Sequence, residues 1–376
     1  MAKLGDIATY INGYAFKPQD WSDEGIPIIR IQDLTGNSYQ ANRYNGEYAS
    51  KYEVNDGDVL ISWSASLGVY IWHGEKAVLN QHIFKVVFDK ERISKDFFVH
   101  QVGLILENAA SDAHGATMKH LTKPVFDALP FYLPPYEKQC EIAEVLDKVT
   151  SLISLRKQQL AKLDELVKAR FVEMFGDPVY NEMHWETKRL IDICRTIVDC
   201  PHSTPHYTTK DTGYKCIRTS AVKKNKILWE KVECISKQEY EERIKRKRPE
   251  KGDVIYTREG AILGIAAVID RDYNVALGQR SMLLSPDIYQ CTPCFLSMAM
   301  NFDSFLGKAL GGVSGSASPH INVGDIKALE IIAPPIEIQN QFSTFVEQVD
   351  QQKQTVQESL KKLELLKKAL MQEYFG

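Results

Sequence analysis

The sequence predicts an α+β protein with a pseudo-twofold internal repeat: two similar globular domains separated by two long helices. Three observations predict it. At a fixed offset of 200 residues Gly115 falls on Gly315, His120 on His320, Ala128-Leu129 on Ala328-Leu329, and Pro134-Pro135 on Pro334-Pro335. In the same frame Gln139 matches Gln339, Leu160 and Leu163 match Leu360 and Leu363, and Phe175-Gly176 matches Phe375-Gly376. Second, residues 137–175 hold neither proline nor glycine, and their apolar residues recur at helical spacing. Third, the stretches ahead of each proline pair break into short β-rich runs punctuated by glycine, proline, asparagine and aspartate.

Within the first domain, 1–135, the strand-like runs are Ile26 to Gln32, Val59 to Trp63, Val69 to Trp72, Ile83 to Phe88 and Phe131 to Leu133. The first long helix, 136–176, follows the proline pair, because proline lacks an N–H that would have no partner in a first helical turn. At 1.5 Å per residue it reaches roughly 58 Å, too long to be buried in one domain. Gly176-Asp177-Pro178 breaks it. The second domain, 177–335, repeats the strand pattern at Cys216 to Thr219, Val254 to Thr257, Ile265 to Ile269 and Leu329 to Ile332. Its front matches the first domain more loosely, with Gly252-Asp253-Val254-Ile255 resembling Gly57-Asp58-Val59-Leu60. The second long helix, 336–376, carries Phe342, Val349, Val356, Leu363 and Leu370 at the seven-residue spacing of a coiled-coil seam. Pairing is therefore expected through Leu146, Val149, Leu160 and Leu163 on one helix and Val346, Val349, Leu360 and Leu363 on the other. Arg156, Lys353 and Lys367 interrupt that seam with stems that can reach the surface.

At 376 residues the chain exceeds what a single core usually serves, and 44% hydrophobic with 25% charged residues excludes a disordered or fibrous protein. The longest apolar run, Ala261 to Ile269, falls far short of the roughly 20 residues that span a bilayer, so no membrane is expected as a partner. The amino terminus lacks the apolar core of a secretory signal, and seven cysteines without regular spacing form no disulfide framework. A reducing, cytoplasmic setting is the expectation. A net charge of −3 gives no global pull towards nucleic acid, so such binding must come from local patches or partners.

Motifs that would carry chemistry do not assemble. Leu133-Pro134-Pro135-Tyr136 has a leucine where an amino-group methyltransferase needs a polar acceptor for the amine, and its repeat, Ala333-Pro334-Pro335-Ile336, loses the aromatic residue too. A helix-start role fits both. No phosphate-binding G-x-x-x-x-G-K-[ST] loop is present. Cys291-Thr292-Pro293-Cys294 has the spacing of half a zinc site without a second pair, and Cys200, His202 and His206 have no metal-ligating counterparts in the first half. Glu186-Thr187-Lys188 lacks the further acidic positions of a nuclease site. No catalytic residue and no metal ligand is assigned.

Several pieces, in order, resemble the specificity subunit of type I restriction-modification enzymes, over the whole chain. These are Asn12-Gly13-Tyr14-Ala15-Phe16-Lys17 followed by Gly25-Ile26-Pro27-Ile28-Ile29-Arg30-Ile31, and Asp199-Cys200-Pro201-His202-Ser203-Thr204-Pro205-His206-Tyr207 followed by Gly213 and Ile217-Arg218. Gly-Asp-Val-Leu/Ile and a closing Leu-Pro-Pro or Ala-Pro-Pro step occur in both halves. Cys200 departs from the family's pattern, which has glycine there. The resemblance implies two target recognition domains, each reading one half of a split double-stranded DNA target, on antiparallel helices that act as a ruler and dock two methylation (M) subunits. Modules related by a near-twofold rotation match the two strand directions of duplex DNA, so each approaches its half-site in an equivalent pose. The resemblance implies no cofactor in this chain. S-adenosylmethionine, ATP and Mg are expected on partner subunits, which include translocating restriction (R) subunits. This chain would be a non-catalytic address. Two other readings stand beside it: a self-sufficient DNA methyltransferase or nuclease, and a coiled-coil scaffold that never touches bases.

Base readout needs paired donors or acceptors on exposed loops, whereas phosphate contacts need cations, small hydroxyls or free amides. Ser62-Trp63-Ser64 and Thr257-Arg258-Glu259 leave corresponding strands into glycine-containing turns, which suits presentation of Ser62, Trp63, Ser64 and Arg258. Arg30 and Gln32, with Arg218 and Ser220 in comparable places, are further candidates, as are His202 and Thr204. The glycine-rich stretches around Lys119-His120 and Ser316 to His320 suit close approach of backbone to phosphate. Lys245-Arg246-Lys247-Arg248 is a dense basic run beside Glu239, Glu241, Glu242 and Glu250.

Overall fold

The computed structural model describes residues 1–36, 42–112, 122–311 and 320–376, and the chain divides into two compact units. Met1–Gln158 with Gln357–Gly376 form the first; Gln159–Val356 form the second. Each unit therefore holds one domain and one stretch of each long helix.

In the first unit a four-stranded antiparallel sheet runs in the order Thr9–Asn12, Ile83–Val87, Val59–Ser62, Gly68–Ile71. A second sheet runs Arg43–Tyr44, Ile26–Ile29, Ala77–Leu79, Glu53–Val54, and its central pair is parallel. Side-chain alternation sorts the central strand between two cores. Val59 and Ile61 join Phe84, Phe97, Phe98 and Leu146, while Leu60 joins Ile29, Val54 and Leu79 on the other side. The second unit repeats the plan. Its antiparallel sheet is Cys194–Asp199, Ser281–Pro286, Val254–Thr257, Ala266–Val268, and its smaller sheet pairs Tyr214–Ile217 in parallel with Asn274–Leu277. Val254 and Tyr256 face a core with Phe171 and Phe295, and Ile255 faces the opposite one.

Some expected strands are shorter than their apolar runs, and Phe131 to Leu133 is strand only at Phe131. Ile26 to Gln32 is strand only to Ile29, and Ile31–Leu34 is a helical turn that carries Gln32. The Asp33 carboxylate accepts from the Arg30 N–H at 2.8 Å, a local bond that outcompetes continued pairing. Arg218 likewise precedes a short 3₁₀ turn, Thr219–Ala221, which carries Ser220.

The long helices are Tyr136–Phe175 and Ile336–Phe375, 40 residues each. In the first unit Ile142 and Leu146 sit in the domain core with Leu370, Met371 and Phe375 packed against it, and Lys157 stands 3.5 Å from Glu364. In the second unit Phe342 lies 5.4 Å from Phe171 and 5.5 Å from Phe175, and Lys353 meets Asp164 at 2.7 Å. Within each unit one helix's numbers rise as the other's fall, so the pairing is antiparallel. Leu146, Val149, Leu163 and Val349 are buried. Leu160, Val346, Leu360 and Leu363 are half-buried, because two helices alone leave the flanks of their seam open to water. The Lys353 stem is largely covered while its ammonium reaches the exposed carboxylates of Asp164 and Asp350.

Each proline pair works through a buried glutamine one turn into the helix. Gln139 donates from Nε2 to the Pro134 carbonyl at 2.9 Å and accepts at Oε1 from Ser94 N–H, also at 2.9 Å. Gln339 donates to the carbonyls of Pro334 (2.8 Å) and Gln290 (3.0 Å) and accepts from Thr292 N–H at 2.9 Å. Ser94 precedes the helix Lys95–Asp112, and Thr292 caps Pro293–Met300, so one amide fastens the long helix to the helix beneath it. Replacing Gln339 by methionine strands a buried N–H and two carbonyls, so Gln339→Met should cost the second unit about 3 kcal/mol in urea unfolding, against less than about 0.5 kcal/mol for exposed Glu337→Met.

Candidate nucleic-acid interface

In the first domain the strand Val59–Ser62 exits into a tight turn. Ser62 is fully buried and its hydroxyl donates to the Ser66 carbonyl. Ser64 is buried as well, and Ala65 takes a left-handed conformation, φ 59°, that closes the turn. Trp63 lies across the exit. Its N–H donates to the His82 carbonyl at 3.4 Å, its indole Nε1 to Asn12 Oδ1 at 3.2 Å, and its ring sits 5.5 Å from that of His82. The segment Asn12-Gly13-Tyr14 docks on the turn between Leu79 and Ile83: Gly13 N–H donates to Ile83 O at 3.1 Å and Tyr14 N–H to Leu79 O at 2.7 Å. A Cβ on Gly13 would come within 2.1 Å of the Asn80 carbonyl oxygen, so this approach requires glycine.

The second domain repeats these links with other side chains, except that of Tyr14, whose counterpart Pro201 has no N–H. Arg258 takes the place of Trp63, and its N–H donates to the Arg280 carbonyl at 3.1 Å. Its guanidinium binds Asp199 through two parallel bonds of 2.8 and 3.0 Å, as Trp63 binds Asn12. Cys200 replaces Gly13 and donates from its N–H to Ser281 O at 3.2 Å, while Ser281 N–H points back at the thiol at 3.4 Å. His202 Nε2 stands 3.1 Å from Asp199, and Thr204 donates to Gln279 Oε1 at 3.1 Å. His320 pairs with Glu259, and Ile321 N–H donates to the Arg258 carbonyl at 2.9 Å.

Ser62, Ser64 and Arg258 therefore do not present their side chains outwards as the strand-exit pattern led us to expect. All three are buried, Arg258 at 7% exposure, since each finds its partner inside the domain. Arg218 is exposed, but pairs with Glu233 at 2.6 Å and lies 4.1 Å over the Tyr207 ring. Arg30 is half-buried, 3.8 Å from Asp33 and over Trp21. Gln32 is half-buried and Ser220 exposed on their short turns. His202, Thr204 and His320 remain on the accessible face, with Trp63 partly so. Lys119, His120 and Ser316 lie outside the described residues. Within the basic run, Lys245 pairs with Glu242 and Lys247 with Glu250 and Asp253, whereas Arg246 and Arg248 bind the neutral Asp199 carbonyl and Asn274.

Sequence reasoning passed over the turn on which both strand exits rest. Leu79-Asn80-Gln81-His82-Ile83 and Leu277-Gly278-Gln279-Arg280-Ser281 align at an offset of 198, and the shared leucine and glutamine were the available signal. His82 and Arg280 are exposed, Gln81 and Gln279 half so.

Among the described residues, no group of three or more histidine, cysteine or acidic side chains is placed to hold a metal ion. Burial pushes the thiols of Cys194, Cys216 and Cys294 up from 9.0 to about 12, and Cys291 well above 9.0.

A family model for the type I restriction modification DNA specificity domain matches this chain twice, over residues 1–165 and 182–365. The EcoBI specificity subunit of Escherichia coli is 25% identical, the match covering 92% of this chain and 78% of that protein. The MjaVIII specificity subunit of Methanocaldococcus jannaschii is 23% identical over 99% of this chain and 90% of its own. Among solved structures, the type I restriction-modification S subunit from M. genitalium superposes with a TM-score of 0.59 at 12% identity, over 100% of this chain and 95% of that one. A chain from a structure on assembly and conformational transition of the type I system gives 0.57 at 17% identity, over 100% and 96%. At these identities the structures establish the fold.

The buried pair yields the first test of this face. Arg258→Met leaves Asp199 charged and half-satisfied, so the second unit should lose about 3–5 kcal/mol in denaturant unfolding. Copying the first domain's neutral pair, Arg258→Trp with Asp199→Asn, should recover part of that loss. The thiols give another: with Cys140 exposed, Ellman's reagent at pH 8 should label one thiol quickly, and Cys140→Ser should abolish that phase. Raising the pH to 10 should not recruit Cys194, Cys216 or Cys294, which stay neutral in the fold until about pH 12.

Proposed function

The chain belongs to the type I restriction modification DNA specificity family, and from that premise we propose that it is the DNA-recognition subunit of a type I restriction-modification enzyme, each domain reading one half of a split target. The observation that carries the reading is the face built twice by the same backbone links and furnished with different side chains. Trp63 on Asn12 and Arg258 on Asp199 hold equivalent loops, so the two domains can meet DNA in the same pose and prefer different bases.

The long helices, in this proposal, set the gap between half-sites and dock two methylation subunits. Leu152, Leu155, Leu365 and Leu366 support docking: they are 43–68% exposed on the first unit's helix stretches, apolar surface that a partner would cover. S-adenosylmethionine and adenine methylation then belong to those subunits, and ATP and Mg to restriction subunits. This chain supplies the address.

A methylation map of cells carrying the chain with its partner subunits tests this. Methylated adenines should fall within an asymmetric target of two short specified blocks separated by unspecified bases, and exchanging residues 1–135 for those of a relative should change one block alone. A continuous palindrome, or adenine methylation by the purified chain with S-adenosylmethionine and no partner, would overturn it.

A further inference from the structure

We propose that Arg280 in the second domain, and His82 at the matching turn of the first, read base edges of the target, with Arg280 taking a guanine. The proposal rests on the DNA-recognition reading above and names where that recognition occurs.

Each turn carries the chain from the smaller, partly parallel sheet to the antiparallel one. Backbone bonds fix it at three places. Gly278 N–H donates to Ile217 O at 2.9 Å, and Asn80 N–H to Ile29 O at 3.1 Å. The carbonyls of Arg280 and His82 accept from Arg258 and Trp63, and those of Ser281 and Ile83 accept from Cys200 and Gly13. None of these bonds uses a side chain of the turn, so the residue after the glutamine can change without loosening the mount. It does change, from His82 to Arg280, and both side chains stand in solvent.

Arg280 differs from the arginines around it. Arg258 is locked on Asp199, Arg218 on Glu233, and Arg243 on Glu239 and Ser203. Arg280 is 49% exposed and makes only a loose ion pair with Glu259, its Nε 3.9 Å from the carboxylate and beyond hydrogen-bond reach. Its backbone is left-handed at φ 71°, a conformation uncommon outside glycine that persists only where the surroundings impose it. Gly260, at φ 90°, leaves room for the guanidinium, since a Cβ there would lie 3.3 Å from Nη1. A rigidly based fork of donors matches O6 and N7 of guanine in the major groove. The His82 imidazole cannot make that bidentate pair, so equivalent turns select different bases, as an asymmetric target requires. Thr204 orients the amide of the preceding residue, Gln279.

The test uses the full chain assembled with its methylation subunits, binding duplexes randomised through both half-sites, with the bound fraction sequenced. Wild type should return the split target. Arg280→Ala should relax one guanine in the half-site of the second domain about ten- to hundredfold and leave the other half-site unchanged. Arg280→Lys keeps the charge without the fork and should stay relaxed at that base. Arg280→Asn, which tolerates the left-handed backbone, should relax it too and so separates reading from folding. Unchanged base preference in all three variants would overturn the assignment, as would uniform weakening at every position restored by lysine, the mark of a phosphate contact. A wild-type complex that returns no split target would overturn the DNA-recognition reading and this assignment together.

Discussion

The amides of Gln139 and Gln339 govern how each long helix leaves its domain, and much of the architecture depends on that departure. A buried glutamine must satisfy both ends of its side chain or destabilise the fold. Here its oxygen takes an N–H at the start of the underlying helix, and its nitrogen takes the carbonyl of the first proline. The direction of the long helix is thereby tied to the helix that backs the antiparallel sheet. The apolar residues that follow, Ile142 and Leu146 in one unit and Phe342 and Val349 in the other, are delivered straight into the domain cores. A helix fastened in this way does not depend on its seam alone, which is consistent with the half-burial of Leu160, Leu360 and Leu363.

A second constraint operates at the strand exits. Two segments distant in sequence must lie close enough for backbone bonding, and a side chain must bridge them above. The first domain uses a glycine and a neutral Trp–Asn bridge; the second uses a cysteine and a charged Arg–Asp bridge. Geometry is kept while chemistry is exchanged. A buried ion pair contributes little net stability, because desolvation offsets much of its attraction, yet its two parallel bonds impose a definite orientation. Its value here is the fixed position of the Arg280 carbonyl.

The helices, the repeat and the α+β class were legible because their signals are local or periodic: seven-residue spacing, an offset of 200, and Pro-Pro ahead of a glycine-free stretch. The glutamine match at 139 and 339 was visible too, although its meaning was not, since Ser94 and Thr292 lie more than forty residues away. Legibility failed where a polar residue's fate depended on a distant partner. Arg258 reads as an exposed cation next to Glu259, but Asp199, 59 positions earlier, claims it. Arg30 and Gln32 sit in an isoleucine-rich run that predicts strand, until Asp33 caps a helical turn. Arg280, between a glutamine and a serine, carries no motif at all. Its significance lies in an exposed guanidinium that the fold holds only through a loose ion pair with Glu259.

That contrast bears on how such a face can bind DNA with a chain of net charge −3. The densest basic run does not act as a block of four cations, because Lys245 and Lys247 are matched by Glu242, Glu250 and Asp253. Arg246 and Arg248 keep their charge but bind neutral protein groups, and Arg258 is neutralised inside the domain. A surface so compensated gives weak, unspecific attraction to phosphate, since that term scales with the number of cations brought to the backbone. Discrimination among bases does not need such a field. It needs a few donors and acceptors whose positions are set before contact, so that a wrong base leaves them unsatisfied. Turns pinned by main-chain bonds, with exposed side chains that differ between the two domains, meet that need in the recognition we propose without requiring a strongly basic surface.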